Sequence, residues 1–398
     1  MADLLFSKEL ANVGLFCDCF PPVMDGVSVC VENYAEWMQK MAGGVKVITP
    51  TVPGADYSHL DYEVIGYHSM PVPKRHPYVT GVPEIDPAFL HRISKVGFKI
   101  LHAHCPFPSG HAALMLKKLT GAPLVATFHS KYRDDFVRVM PDKAADLAVK
   151  IIMDFYAQAD LVWVPQQSVI DVIRDYGFKG EVEVMDNGSD LVADYPESYF
   201  EDARKALGIA PDEFVMLFVG QHIWEKNTRL IIDSLSRLAD CPFRMYFVGT
   251  GYAREEMMQL VHSYGLDPKV TFVGSLTDRE AIKQYYAAAN LFLFPSLYDN
   301  APLVVREAAA LHTPAVMARG ATASTIIDDG RNGFLVEPDA DSMAALLRNL
   351  CADPQRVRDA GLEASRTIVR SWKDCVSEAL DRYNLLLKSK GLPEIERI

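Results

Sequence analysis

Short apolar runs alternate with stretches of helical periodicity along nearly the whole chain, and after one break the alternation starts again. In the first half, Asn12–Phe20 reads as a strand, a Pro/Gly loop follows, and an amphipathic helix covers about Val27–Met41. Val45–Ile48, Lys99–Ala103, Leu124–Phe128 and Leu161–Val164 are rich in Val, Ile, Leu and Phe, the pattern of strands buried on both faces. A long helical stretch over about Tyr132–Gln158 is among the segments that separate them. Asn187-Gly188-Ser189-Asp190 and Pro196 then punctuate the chain, and a helix over Phe200–Leu207 opens the second series. Its strands are Phe214–Val219, Met245–Val248, Val270–Val273, Leu291–Phe294 and Ala315–Met317, and a helical tail runs from Ser342 to Lys388. Strands separated by helices require parallel sheets covered on both faces. The prediction is therefore α/β: two doubly wound Rossmann-like domains facing across a cleft, with C-terminal helices. Residues 1–192 form the first and 193–398 the second, and the last helix is able to pack back on the first. The length of 398 residues, at about 150 per domain, fits two large domains.

Composition removes several function classes. An apolar fraction of 49% and a charged fraction of 23% are those of a globular chain, not a disordered or fibrous one. A net charge of −12 argues against a nucleic-acid partner, which needs clustered cations to neutralise phosphate. No apolar run approaches the roughly 18 residues of a spanning helix, and Met1–Leu10 lacks the basic-then-apolar order of a signal peptide. The seven cysteines (17, 19, 30, 105, 241, 351 and 375) are scattered without a C-x-x-C pair, which fits a reduced cytoplasm. Neither Cys17 with Cys19 nor the nearby His102, His104 and His111 make a metal site by spacing, and no cofactor or metal is expected.

Open parallel sheets bind ligands beyond the carboxyl ends of their strands, so the loops there carry the candidates. Gly26 follows the first strand and either lets backbone approach an anion at the helix start or merely permits the turn, with Ser28 as an N-cap. His129 ends another first-domain strand and is either a hydrogen-bond donor to a ligand or a core histidine. In the second domain, Gly220-Gln221-His222-Ile223-Trp224-Glu225-Lys226-Asn227 places Lys226 near a helix start. The dipole disfavours a cation there, so it is either an anion ligand or a solvated surface lysine. After Phe294 come Asp299, Asn300, Ala301, Pro302 and Leu303, with a helix starting near Pro302 and Glu307 about one and a half turns in. Singly, Asp299 reads as an N-cap and Glu307 as an exposed helix charge. Together, with seven residues between them on a strand–turn–helix, they point to a ligand.

These elements resemble the retaining glycosyltransferases of family 4, which have the two-domain GT-B fold. The resemblance covers essentially the whole chain. It rests on Asp299-x7-Glu307, Gly220-x4-Glu225-Lys226-Asn227, Asn187-Gly188-x-Asp190 and Asp329-Gly330-x-Asn332-Gly333-Phe334-Leu335 in that family's order. It implies that Glu307 binds the ribose of a nucleotide sugar and Asp299 the hydroxyls of the donor sugar. Backbone at Asn300, Ala301, Pro302 and Leu303 would hold sugar and diphosphate, Lys226 would neutralise the diphosphate, and Gly26 and His129 would meet the donor from the first domain. Gln221 stands where the family usually carries a second diphosphate cation, an arginine. His222 or another basic residue would then substitute, or diphosphate binding is weaker. Asp299 replaces the usual Glu. A two-carboxylate glycosidase mechanism is disfavoured, because the resemblance assigns Glu307 to the ribose.

The acceptor is expected to be a hydroxyl, with a membrane lipid favoured. Residues 91–150 hold ten Lys/Arg against four Asp/Glu, with Lys117, Lys118, Lys131, Arg133, Arg138, Lys143 and Lys150 on or beside helices. Such a patch either rests on anionic lipid or is a solvated face. Asp25-Gly26-Val27-Ser28, His104-Cys105-Pro106-Phe107 and Thr127–Tyr132 loosely resemble the branch that glucosylates diacylglycerol. The expected reaction is hexose transfer from a nucleotide diphosphate sugar, UDP-glucose favoured, by a cytoplasmic enzyme peripheral to the membrane. The alternatives are a soluble or polysaccharide acceptor, a phosphorylase on the same fold, and a nucleotide-sugar-binding protein with little turnover.

Overall fold

The computed structural model describes residues 11–72, 78–238 and 241–398. The Met1–Leu10 segment, read above against a signal peptide, lies outside them. The described residues divide into two compact units: those up to Gly188 together with Trp372–Ile398, and Ser189–Ser371. The chain thus passes between the units twice, and the last helix, Trp372–Ser389, belongs to the first. Gly188 is a glycine for a steric reason. A Cβ there would stand 2.7 Å from the Trp372 backbone, so the chain leaves the first unit pressed against the start of its last helix.

Among the described residues, the first unit holds a seven-stranded parallel sheet. Its spatial order is Glu63–Tyr67, Lys46–Pro50, Val13–Phe16, Ile100–Ala103, Leu124–Thr127, Leu161–Val164 and Glu183–Val184. The second unit holds six parallel strands in the order Val270–Gly274, Phe243–Val248, Phe214–Val219, Leu291–Phe294, Ala315–Ala318 and Gly333–Val336. Both are doubly wound α/β sheets whose central strands are buried on both faces. Strand order reverses between Val13–Phe16 and Ile100–Ala103 in one, and between Phe214–Val219 and Leu291–Phe294 in the other. At such a reversal adjacent connections leave in opposite directions and open a crevice at the strand ends.

Local differences from the sequence expectation have local causes. The strand expected over Asn12–Phe20 spans only Val13–Phe16, and Asp18 just beyond it accepts from Ser109 in the first turn of the helix Pro108–Thr120. The helix expected over Tyr132–Gln158 is two, Tyr132–Phe136 and Asp142–Tyr156. Pro141 lies between them, and a proline disfavours helical backbone in the residue before it. Strands Glu63–Tyr67, Glu183–Val184 and Gly333–Val336 complete the sheet margins. The last helix packs on the helix Gly26–Ala42, and its Tyr383 ring stacks on Trp163 with centroids 5.4 Å apart.

Candidate functional site

Lys226 and Asp299 lie on the loops beyond strands Phe214–Val219 and Leu291–Phe294 of the second unit, and Glu307 lies on the helix that follows the second of these loops. After Val219, the loop from Gly220 runs against the Gly249–Gly251 loop. His222 N donates to Thr250 O at 2.9 Å, and a Cβ on Gly249 would sit 2.0 Å from Gly220 O. A short 3-10 turn, Trp224–Lys226, ends at Asn227 in left-handed backbone, and the helix Thr228–Leu235 begins. Asn227 Nδ2 reaches Pro295 O at 3.2 Å, tying this loop to the one after Leu291–Phe294. Lys226 is 14% exposed and its ammonium bonds the Asp299 carboxylate, itself 16% exposed. The rings of Phe294 and Tyr298 lie 5.5 and 5.7 Å from the same ammonium. Lys226 is therefore no solvated surface lysine. Asp299 does not cap the helix Leu303–Ala310: Pro302 occupies the N-cap without a side-chain bond, and Ser296 Oγ donates to Asp299 Oδ2 at 2.5 Å.

Glu307 is no exposed helix charge either; only 7% of its side chain is accessible. Arg279 Nη2 donates to Oε1 at 2.9 Å and the Tyr286 hydroxyl to Oε2 at 2.8 Å. Arg279 also grips Asp190 with both Nε and Nη2, at 2.9 and 2.6 Å. Burial disfavours the guanidinium charge, but the Glu307 and Asp190 carboxylates outweigh it and raise its pKa. Burial first, then Glu307, raises the Tyr286 phenol well above its ordinary value, so it stays a donor. Each carboxylate oxygen keeps a second lone pair, so Glu307 is oriented but still able to accept a ligand hydroxyl. The first turn of Leu303–Ala310 adds amides with no intrahelical acceptor, at Leu303 and Val304 but not at Pro302, which has no N–H.

Gln221 is exposed, and the charge it lacks does not come from His222. That ring is buried beside Phe218, Phe247 and Phe272, and neither nitrogen has a hydrogen-bond partner among the described residues. Burial, aided by the Arg254 charge, pulls its pKa down to about 4, so the imidazole is neutral.

In the first unit, the cap of the helix Gly26–Ala42 is Asp25, not Ser28. Asp25 Oδ1 accepts from Val27 N and Ser28 N at 3.0 and 2.8 Å, and Ser28 Oγ accepts from Asp25 N at 2.8 Å. A Cβ on Gly26 would meet nothing within 4 Å, so open space fronts this turn. His129 follows Leu124–Thr127 and its Nε2 is 3.2 Å from His104 Nδ1. Burial pulls His129 down to about 4 and His104 well below 6.5. His102 bonds the Tyr383 hydroxyl at 2.6 Å and Thr127 Oγ1 at 2.7 Å. Asp18, just past the first strand, accepts from Ser109 N and Oγ at 3.0 and 2.7 Å; burial raises its pKa against those bonds.

Sequence reasoning missed Arg279, Tyr286, Asp18 and Ser109. Asp190 stood in a quoted motif, whereas nothing local marked Arg279 as the residue that would join it to Glu307. On the first unit's surface, Leu147 and Ile151 are 61% and 55% exposed one turn apart on Asp142–Tyr156, on the same helix as the exposed Lys143 and Lys150. Part of the basic run is neutralised within the unit: Arg133 pairs with Asp146 at 2.8 Å and Lys117 with Asp160 at 2.9 Å. No helix among the described residues is long and apolar enough to cross a membrane.

Two doubly wound units, one of them carrying Lys226, Asp299 and Glu307, fit the glycosyltransferase architecture that the sequence resembles, and comparison with known proteins agrees. Residues 24–192 match the Glycosyltransferase Family 4 model and residues 200–366 the Glycosyl transferases group 1 model. The chain belongs to this glycosyltransferase family, with the GT-B fold. Alpha-monoglucosyldiacylglycerol synthase of Acholeplasma laidlawii is 24% identical over 84% of this chain and 87% of that protein. Sucrose-phosphate synthase of Thermosynechococcus elongatus matches in structure with TM-score 0.79 at 22% identity, covering 95% of this chain and 99% of that one. Anabaena HepE, solved with UDP and glucose, matches with TM-score 0.75 at 17% identity over 94% and 99%. The structural likenesses speak to fold.

Proposed function

We propose that this glycosyltransferase moves a hexose, glucose from UDP-glucose in the favoured reading, to a lipid hydroxyl such as that of diacylglycerol, with retention and without a metal. The observation that carries the reading is the second unit's crevice, where Lys226 lies against Asp299 and Glu307 is held by Arg279 and Tyr286. Glu307, fixed at both oxygens, accepts from the ribose hydroxyls. Asp299 accepts from hydroxyls of the sugar, and the Asn300–Leu303 backbone lies beside the diphosphate. Lys226 moves its charge from Asp299 to the diphosphate as the donor binds.

Breaking the bond between the anomeric carbon and the phosphate oxygen leaves negative charge on the nucleoside diphosphate and oxocarbenium character on the sugar. Lys226 and the helix amides stabilise that leaving group, because fixed donors in a dry site need no reorganisation as charge develops. The departing phosphate oxygen takes the acceptor hydroxyl's proton, and the acceptor oxygen bonds the anomeric carbon on the same face. In the first unit, His129 is a neutral imidazole and serves the sugar as a hydrogen-bond partner, not as a cation. The open surface at Gly26 admits the ligand. The lipid acceptor is supported by the likeness to a glucosyldiacylglycerol synthase and by Leu147 and Ile151 beside Lys143 and Lys150, which suit an anionic membrane face. The enzyme then works as a cytoplasmic protein peripheral to the membrane.

The test is radiolabelled UDP-glucose with vesicles containing diacylglycerol and anionic lipid. Label passing into the organic phase, with an α-linkage in the product's proton spectrum, supports the reading. Label that stays aqueous overturns the lipid acceptor, and a β-linked product overturns retention.

A further inference from the structure

Three side chains of the first unit converge although their positions in the chain give no hint of it. Cys30 lies on the helix Gly26–Ala42, His104 follows Ile100–Ala103, and His129 follows Leu124–Thr127. Each can offer one ligand atom such that the three atoms lie within 4.8 Å of one another. His104 Nδ1 and His129 Nε2 are 3.2 Å apart, and the two rings are within 17° of parallel. Two nitrogens bound to one tetrahedral zinc at roughly 2.0–2.1 Å are separated by about 3.3 Å, so the pair already has nearly the spacing of a metal's ligand edge. The Cys30 thiol makes a long 3.8 Å contact to Asn187 Oδ1. His104 Nε2 is buried with no hydrogen-bond partner among the described residues. Cys30 and His104 are buried while His129 is partly exposed, so the group has an inside and an entrance.

We propose that Cys30, His104 and His129 form a binding site for a borderline-soft divalent cation, Zn2+ or its probe Co2+, with a fourth position left to water. One sulfur and two imidazole nitrogens suit zinc and cobalt, whereas magnesium and calcium require oxygen ligands that this group does not supply. On binding, the Cys30 thiol releases its proton to solvent and a sulfur–metal bond forms, while the proton between the two imidazoles moves to the other nitrogen of the ring that carried it, so that both histidines ligate as neutral imidazoles. No electron is transferred. The ion is not a cofactor of the transfer reaction. By holding the His129 ring it withdraws that ring from the donor sugar, so the site acts as a metal-sensitive brake. This last consequence, unlike the site itself, rests on the role proposed above for His129.

The experiment titrates the metal-free full-length protein with Co2+ and reads the near-ultraviolet thiolate-to-cobalt band. One equivalent should develop the band in the parent protein, Zn2+ should abolish it by displacement, and Cys30→Ser and His104→Gln should each remove it. Circular dichroism checks that both variants are folded, and Cys30→Ala repeats the measurement if the serine variant is not. No band in the parent, or the same band in Cys30→Ser and Cys30→Ala, overturns the site. Turnover is read in parallel: one equivalent of Zn2+ should lower it by about tenfold or more, reversibly with a chelator, and Cys30→Ser should be insensitive. A cobalt band with undiminished turnover would keep the site and remove His129 from the donor-binding role.

Discussion

The two units fold by one plan and use it for different chemistry. Both sheets reverse strand order beside their first strand, and both place loops over the resulting crevice. In the second unit, charged side chains on those loops and on nearby helices form a pair, Lys226 with Asp299, and a triplet, Asp190 with Arg279 and Glu307. In the first, burial lowers the pKa of the His102, His104 and His129 imidazoles and raises that of the Asp18 carboxyl. An anionic diphosphate needs fixed cations and donors. A sugar or an acceptor alcohol needs hydrogen-bond partners and an apolar wall. Under the proposed function, the second unit's charges would serve the diphosphate and the first unit's imidazoles the sugar or the acceptor alcohol.

The largest effect breaks the charged side. Glu307→Ala and Lys226→Ala should each lower kcat/KM by about a hundredfold or more, roughly 2.7 kcal/mol of transition-state stabilisation. Steady-state rates with UDP-glucose on folded variants check this. Near-parental rates in both would remove the site from the second unit. Glu307→Gln, which keeps an acceptor for ribose but loses the partner charge of Arg279, should fall between the parent and Glu307→Ala.

A smaller effect sharpens the contrast. His129→Gln should lower turnover by about tenfold while the calorimetric dissociation constant for UDP moves by less than about twofold. Lys226→Ala should weaken UDP by about tenfold or more, since an ammonium beside a diphosphate is a binding contact before it is a catalytic one. If His129→Gln weakens UDP as much as Lys226→Ala, the division of labour between neutral and charged crevices fails.

The fold was legible because a parallel sheet covered on both faces forces apolar runs such as Phe214–Val219 and Leu291–Phe294, which leave a strong local pattern. Margin strands were harder: Glu183–Val184 has two residues and Glu63–Tyr67 is only partly buried, so neither imposes such a run. At the site, Lys226, Asp299 and Glu307 could be found because they sit at fixed distances from recognisable strand ends. Arg279 could not, because its role exists only once the start of one helix lies beside Asp190 and Glu307. His222 misled for the same reason. Its position beside Gln221 suggested a substitute cation, but burial among three phenylalanines decides its charge, and burial is a property of the packed structure.

That burial supplies the smallest test, at a place where the second unit behaves like the first. The His222 ring has its pKa pulled from 6.5 to about 4, by burial first and the Arg254 charge second. As pH falls through about 6.5 the unfolded ring takes up a proton that the folded ring refuses until pH is near 4. Over that window the unfolded state binds more protons, so this contribution to stability is complete above about 6.5 and is lost towards 4. His222→Leu removes the titration while keeping an apolar side chain against Phe218, Phe247 and Phe272. At pH 7 the variant should be at least as stable as the parent, because two buried nitrogens without partners disappear. Urea midpoints at pH 7 and pH 5 should fall less in His222→Leu than in the parent. Equal losses would mean that the ring is solvated or charged, and His222 would return as a candidate for the cation missing at Gln221.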